Sequence, residues 1–396
     1  MNPFKRGFVL CVVLLLTAAM PLVAQEKKLK PDPMVLGKVA PLESKELGET
    51  RKLFIALPRS YFMSKQSYPV LYLLDGEAHF RYAVGMVEFL AAQQRIPEMI
   101  VVGIPNTNRL RDFSPVQVSQ YPGSGGADKF RAFMKKELKP YIEKNFRTAQ
   151  YTVLFGHSMC GMYAVYDLAK GPDYYGAYIA VSPYLVFADH HVLELADEAL
   201  SKKTGLATTF YVSYGNEPQL EPDIQALDQM MQAAKCKQLA FRFEKMQTEN
   251  HGSVTLKSLY NGLEYIFADF PLPSGIVDKG VEAIKAHYKA ISDKYKYEAR
   301  VPEYTLNLMG YQLIGQNKLK EAIALFEYNV ELYPKSANVY DSLGEAYQAN
   351  KQYQFAKKNF EMAVKLGEKN KDPNLPIYKT HLQNMLKQMG IEPKSE

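Results

Sequence analysis

Tyr151-Thr152-Val153-Leu154-Phe155-Gly156-His157-Ser158-Met159-Cys160-Gly161-Met162-Tyr163-Ala164-Val165-Tyr166 is the stretch that decides the architecture. Its first five residues are a continuous apolar run, as a strand buried on both faces of a parallel sheet requires. Its last five are spaced as a helix. The chain must turn from strand to helix within Gly156–Gly161, with a serine at the tip. Such a turn strains the serine backbone and needs small neighbours. It also brings the positive end of the following helix beside the hydroxyl. Ser158 is therefore the candidate nucleophile, and the N–H of Met159 a candidate oxyanion donor. Cys160 stands where the last glycine of a Gly-x-Ser-x-Gly turn belongs, so a thiol must be accommodated where helix packs on strand. We expect it to be buried, structural and unreactive.

Outward from this turn, apolar runs at Arg51–Leu57, Pro69–Leu74, Met99–Ile104, Ala177–Val181, Thr208–Ser213 and Leu239–Glu244 read as further strands. Arg51–Leu57 alternates, as an outer antiparallel strand does. Helical patterns lie between the runs. One spans 127–145, with Phe130, Phe133, Met134, Leu138 and Ile142 on one face and Pro140 expected to kink it. Alternating strand and helix specifies an α/β sheet covered on both faces. Residues 26–40 read as a polar leader, and Pro271–Gly275 ends the pattern. The α/β domain is thus placed at 41–273.

A serine nucleophile needs a base, supplied late in such a chain. His251, in Asn250-His251-Gly252-Ser253, follows the last strand and precedes a helix. His79 is the second choice, and His157 is expected to point away from the site. The acid should follow Thr208–Ser213, where Glu217, Glu221 and Asp223 cluster. Glu217 is nearest the strand end and is preferred. The bland reading is that all three cap the next helix. Asp75-Gly76-Glu77 follows the strand Pro69–Leu74. Gly76 would let backbone approach a substrate, and the N–H near Glu77 would be the second oxyanion donor.

Beyond residue 300 the chain repeats at a period of 34 residues. Gly310 recurs as Gly344, Ala322 as Ala356 and Phe326 as Phe360. With Leu343, Tyr347 and Ala363 this follows the tetratricopeptide pattern, small residues where two helices cross and an aromatic beside them. We place a connecting helix at 274–300 and the tetratricopeptide-like repeats at 301–390, capped by helical stretches at 276–295 and 376–389.

At the other end, Lys5 and Arg6, an apolar run from Phe8 to about Ala19 and small residues to Ala24 have the layout of a signal peptide over 1–25. This predicts an exported protein, periplasmic or secreted. The formal charge of +6 is mild and its basic residues are interleaved with acidic ones, which argues against a nucleic-acid partner. No Cys/His cluster has zinc-finger spacing, so no metal is expected. A disulfide between Cys160 and Cys236 is disfavoured by the place of Cys160 in the turn.

Five stretches together resemble a known family. They are Tyr72-Leu73-Leu74-Asp75-Gly76, Gly103-Ile104-Pro105-Asn106 with Arg109 and Asp112-Phe113-Ser114-Pro115, Gly156-His157-Ser158-Met159, Val181-Ser182-Pro183, and Asn250-His251-Gly252-Ser253. The family comprises enterochelin esterases, esterase D-type enzymes, feruloyl esterase domains and mycolyltransferases. The resemblance covers about 45–270 and implies an α/β-hydrolase fold with a central, mostly parallel sheet, followed here by an all-α tetratricopeptide-like segment. It implies carboxylic ester hydrolysis without a cofactor. Members act on siderophores, aryl esters, acylated sugars and lipids, so the expected partner is a small-molecule or glycan-linked ester, with a protein partner for the repeats. Two rival readings are acyl transfer to an alcohol, and a non-catalytic scaffold that binds through its repeats.

Overall fold

The computed structural model describes residues 34–391, apart from 63, 173, 203–205 and 235. The signal expected over 1–25 lies outside them. In chain order the first half runs β1 (Lys38–Ser44), β2 (Glu49–Ala56), β3 (Tyr68–Leu74), α1 (Gly76–Ala92), β4 (Ile100–Ile104), α2 (Arg109–Phe113), α3 (Ala127–Phe133), α4 (Lys139–Asn145), β5 (Thr148–His157) and α5 (Met159–Ala169). There follow β6 (Ala177–Val181), α6 (Phe187–Lys202), β7 (Thr208–Tyr214), α7 (Glu221–Ala234), β8 (Leu239–Lys245) and α8 (Val254–Ile266). The strands form one eight-stranded sheet in the order β1-β2-β4-β3-β5-β6-β7-β8. β1, β2 and β4 pair antiparallel, and every pair from β4 through β3 to β8 is parallel.

Period-two alternation divides the core between the faces of this sheet. Leu71, Leu73, Val153 and Phe155 face α1 and α8, while Val70, Tyr72, Leu74 and Leu154 face the side carrying α3 to α7. β1 departs from expectation. Lys38, Val39 and Ala40, read as leader, pair with Ile55, Phe54 and Leu53. This puts β2 one place in from the edge.

Pro140 acts as foreseen, though by a wider turn and not a simple kink. α3 passes through a π-helical turn at Met134–Leu138 into α4, where Pro140 lies in the first turn. Proline has no N–H to give the preceding turn, and a π turn is one way a helix absorbs that loss. Glu137 within it accepts hydrogen bonds from Ser44 Oγ, from Lys45 N at 2.8 Å and from Glu46 N at 3.1 Å, clamping the β1–β2 turn.

After a short 3₁₀ turn the chain is helical: α9 (Val281–Tyr295), α10 (Glu303–Gly315), α11 (Leu319–Leu332), α12 (Ala337–Ala349), α13 (Tyr353–Asn370) and α14 (Leu375–Gln388). Small residues let these helices cross. A Cβ on Gly310 would lie 2.3 Å from the Phe326 ring, and one on Gly344 2.6 Å from Phe360. Tyr295 packs edge-on against Tyr151 of β5. One continuous apolar cluster runs from the sheet through Ile284 and Ile291 to Phe326, Phe360 and Met385. From Leu36 onward the chain is one compact unit. No helix among the described residues is long and apolar enough to cross a membrane.

Candidate active site

β5 ends at His157 and α5 begins at Met159, leaving Ser158 alone to make the turn, at φ 61° and ψ −116°. This is backbone that L-residues rarely adopt, so the surroundings must hold it. Ser158 N donates to Val181 O at 2.8 Å, and its carbonyl accepts from Tyr184 N at 3.1 Å. Two glycines make the turn fit. A Cβ on Gly156 would sit 2.1 Å from Cys160 O, and one on Gly161 2.8 Å from Val181 O. The close approach that the missing glycine would have provided is thus made one residue later, by Gly161.

Cys160 is fully buried beside Asp75 and Arg109, and burial pushes its thiol well above the ordinary range. It and Cys236 are both free. Behind the turn, Arg109 grips Asp75 through two bonds of 2.9 and 3.0 Å and donates to His157 O at 3.1 Å. Asn106 Nδ2 joins Asp75 to Glu77, at 2.6 and 2.7 Å. Burial acts to raise the Asp75 carboxyl, but Arg109 and Asn106 outweigh it and hold the group below the usual range.

His251 and Glu217 are brought together. His251 Nδ1 hydrogen-bonds Glu217 Oε1. The other carboxylate oxygen accepts from Ser182 Oγ and from Gly215 N at 2.8 Å. Glu217 is 2% exposed. Burial would raise its pKa, yet the bonds from His251, Ser182 and Gly215 hold it down, so it stays a carboxylate. Asn216 N donates to Glu249 O at 2.7 Å, tying the loop of Glu217 to that of His251.

The other two acids are engaged elsewhere. Glu221 pairs with Lys245 at 2.6 Å, and Asp223 faces His190 at 3.2 Å. Both stand in the first turn of α7, where acids suit the helix dipole. No hydrogen bond joins Ser158 Oγ to His251 among the described residues. Such bonds are often long before substrate arrives.

Glu77 and Met159 lie at the starts of α1 and α5, which follow the neighbouring parallel strands β3 and β5. Their first-turn N–H groups therefore emerge at one edge of the sheet without helical partners. The expectation for Gly76 is corrected. A Cβ there would meet Ile104 N at 2.6 Å, so the glycine admits β4 backbone and not a substrate.

The expectation for His157 is corrected too. Alternation along β5 puts it on the same face as Phe155. Its ring lies 4.5 Å from that of His251 and 5.8 Å from that of His79. Burial, with His251 and His79 nearby, lowers its pKa to about 4. His79 is buried, accepts or donates at Nδ1 with Tyr82 OH at 2.9 Å, and serves as the inner wall of this row. Sequence reasoning assigned no role to Ser182, Asp75, Asn106 or Arg109. Their signal was membership of the stretches that carry the family resemblance.

The family model described as "Putative esterase" matches residues 44–255. Ferri-bacillibactin esterase BesA of Bacillus subtilis (strain 168) is 30% identical over 200 residues, covering 44% of this chain and 68% of the relative. The siderophore triacetylfusarinine C esterase of Aspergillus fumigatus is 25% identical over 241 residues, 51% of this chain and 82% of the relative. Among solved structures, an IroE-like serine hydrolase from Shewanella oneidensis superimposes with a TM-score of 0.67 at 29% identity, over 75% of this chain and 99% of that one. With the fold and these relatives in agreement, the chain belongs to this esterase family and is a carboxylic ester hydrolase.

Proposed function

We propose that the protein is an exported serine esterase that works through an acyl-enzyme on Ser158. The observation that carries this reading is the buried Glu217 carboxylate, bonded to His251 Nδ1 and held on its other oxygen by Ser182 and Gly215. That bond leaves Nε2 of His251 free to accept the Ser158 proton as the hydroxyl attacks an ester carbonyl. The N–H groups of Glu77 and Met159 hold the oxyanion, and the imidazolium returns its proton to the leaving alcohol. Water, activated by the same imidazole, then releases the acid. One relative is named a ferri-bacillibactin esterase and another a siderophore triacetylfusarinine C esterase, which favours a small-molecule ester as substrate. Lys5 and Arg6 before the N-terminal apolar run support export, and the contacts of Gly310 with Phe326 and Gly344 with Phe360 support a tetratricopeptide-like segment, for which a protein partner is the further expectation.

The test is covalent labelling of the purified chain by a fluorophosphonate, followed by peptide mapping, alongside turnover of a panel of acyl esters. The label should fall on Ser158, and Ser158→Ala should lose on the order of a millionfold in kcat with its fold intact. Near wild-type turnover in Ser158→Ala would falsify the assignment. Cell fractionation tests export separately.

A further inference from the structure

The helical segment holds a second group of chemically able side chains, which the esterase reading leaves unused. Asp341 and Glu345 are one turn apart on α12 and so share a face. His381 reaches them from α14, with Nδ1 3.0 Å from each Asp341 oxygen. One ligand atom from each of the three lies within 4.8 Å of the other two. The group is built and not merely exposed. Asp341 is 5% exposed. The His381 ring packs against Phe360 at 5.7 Å. Tyr311, from α10, donates its hydroxyl to Glu345 and lies 3.1 Å from Ser342 Oγ.

We propose that Asp341, Glu345 and His381 bind a divalent first-row cation, which ties α14 to α12. Two carboxylates and a neutral imidazole carry the charge that such an ion neutralises. An imidazole with carboxylates suits zinc, manganese or iron better than calcium, which prefers an all-oxygen shell. Zinc bonds to nitrogen and oxygen are about 2.0–2.2 Å long, so the three side chains need close on the ion only by small rotations. Sequence spacing does not announce the set, because its members come from two helices and include no cysteine. Glu345 and His381 are only half-buried, which leaves an entry path and room for water as a further ligand.

The experiment uses the full mature chain, stripped with chelator and titrated with zinc chloride by calorimetry, with thermal unfolding read in parallel. One equivalent should bind with a Kd of about 10 µM or tighter, and Tm should rise by several degrees. Asp341→Asn and His381→Gln should each weaken binding by at least tenfold and abolish the rise, while Ser158→Ala and a His190→Gln/His191→Gln double variant should keep both. Glu345→Gln, at a half-buried site, serves if either of the first two fails to fold. Wild-type protein that takes up no zinc below about 100 µM, or zinc binding that survives loss of Asp341, His381 and Glu345 in turn, would overturn the proposal.

Discussion

Glu217, Glu221 and Asp223 were equal on charge alone, and what separates them is the company each keeps. Only Glu217 touches His251. Glu217→Gln should therefore cut kcat by about 10³–10⁴-fold, because an amide cannot hold the same tautomer or stabilise the imidazolium. Glu221→Gln should stay within a few-fold of wild type, since it weakens half-exposed contacts with Lys245 and Gln225 that lie away from His251. A reversed order would assign the acid elsewhere. Cys160 is enclosed and its thiol pushed up in pKa, so thiol reagents should leave the native enzyme active and Cys160→Ala should keep most turnover. Rapid inactivation prevented by Cys160→Ala would contradict the burial argument. His157 gives the pH prediction. Its folded value of about 4 lies below the ordinary 6.5. The folded state resists the proton, so this stability is whole above about pH 6.5 and drains away as pH falls toward 4. Glu217 and Asp75, held below their usual values, add losses at still lower pH. Melting curves from pH 7 to 4 should fall less steeply for His157→Gln than for wild type. Parallel slopes would show that the ring is not the group responsible.

Elements buried on both faces were legible and edge elements were not. β5 reads from its apolar run because water reaches neither side. β1 is exposed along much of its length, with Val39 62% exposed, and its pairing with β2 is carried by backbone groups common to all sequences. The site divides the same way. Ser158, Glu217 and His251 each follow a strand, so order along the chain alone singles them out as candidates. Ser182, Asp75 and Arg109 act through partners far away in sequence, which periodicity does not encode. His157 departs from expectation because the strand's alternation runs on to the turn and places its ring beside that of His251. The turn itself gives an element-scale prediction. Gly156→Ala would drive a methyl into Cys160 O, 2.1 Å away. No flexible side chain can yield there, so the variant should lose Tm heavily or fail to accumulate folded. Gly85, on α1 with nothing within 4 Å of its Cβ, is the control. Gly85→Ala should hold or raise Tm, as expected for a helix interior.

At the scale of the molecule, the sequence pattern sets the C-terminal helical segment apart, yet the apolar cluster passes from the sheet into it without a break. Removing residues 301–396 would bare Ile284, Tyr288 and Ile291 at once. Such a truncation should run as aggregate in size-exclusion chromatography, and the intact chain should unfold in one transition by both near-ultraviolet and far-ultraviolet signals. A soluble, active truncation would show that the hydrolase part is self-sufficient. The π turn at Met134–Leu138 leads elsewhere, to the history of the chain. A π turn holds one residue more than the α-helix it interrupts. Losing that residue would let α3 and α4 run on as a single regular helix with the flanking turns still in register, but it would remove the wide turn that carries Glu137 to the β1–β2 turn. The wide turn and the Glu137 clamp therefore stand or fall together. Related chains one residue shorter between Phe133 and Pro140 should lack both the acid and the serine that Ser44 supplies to meet it.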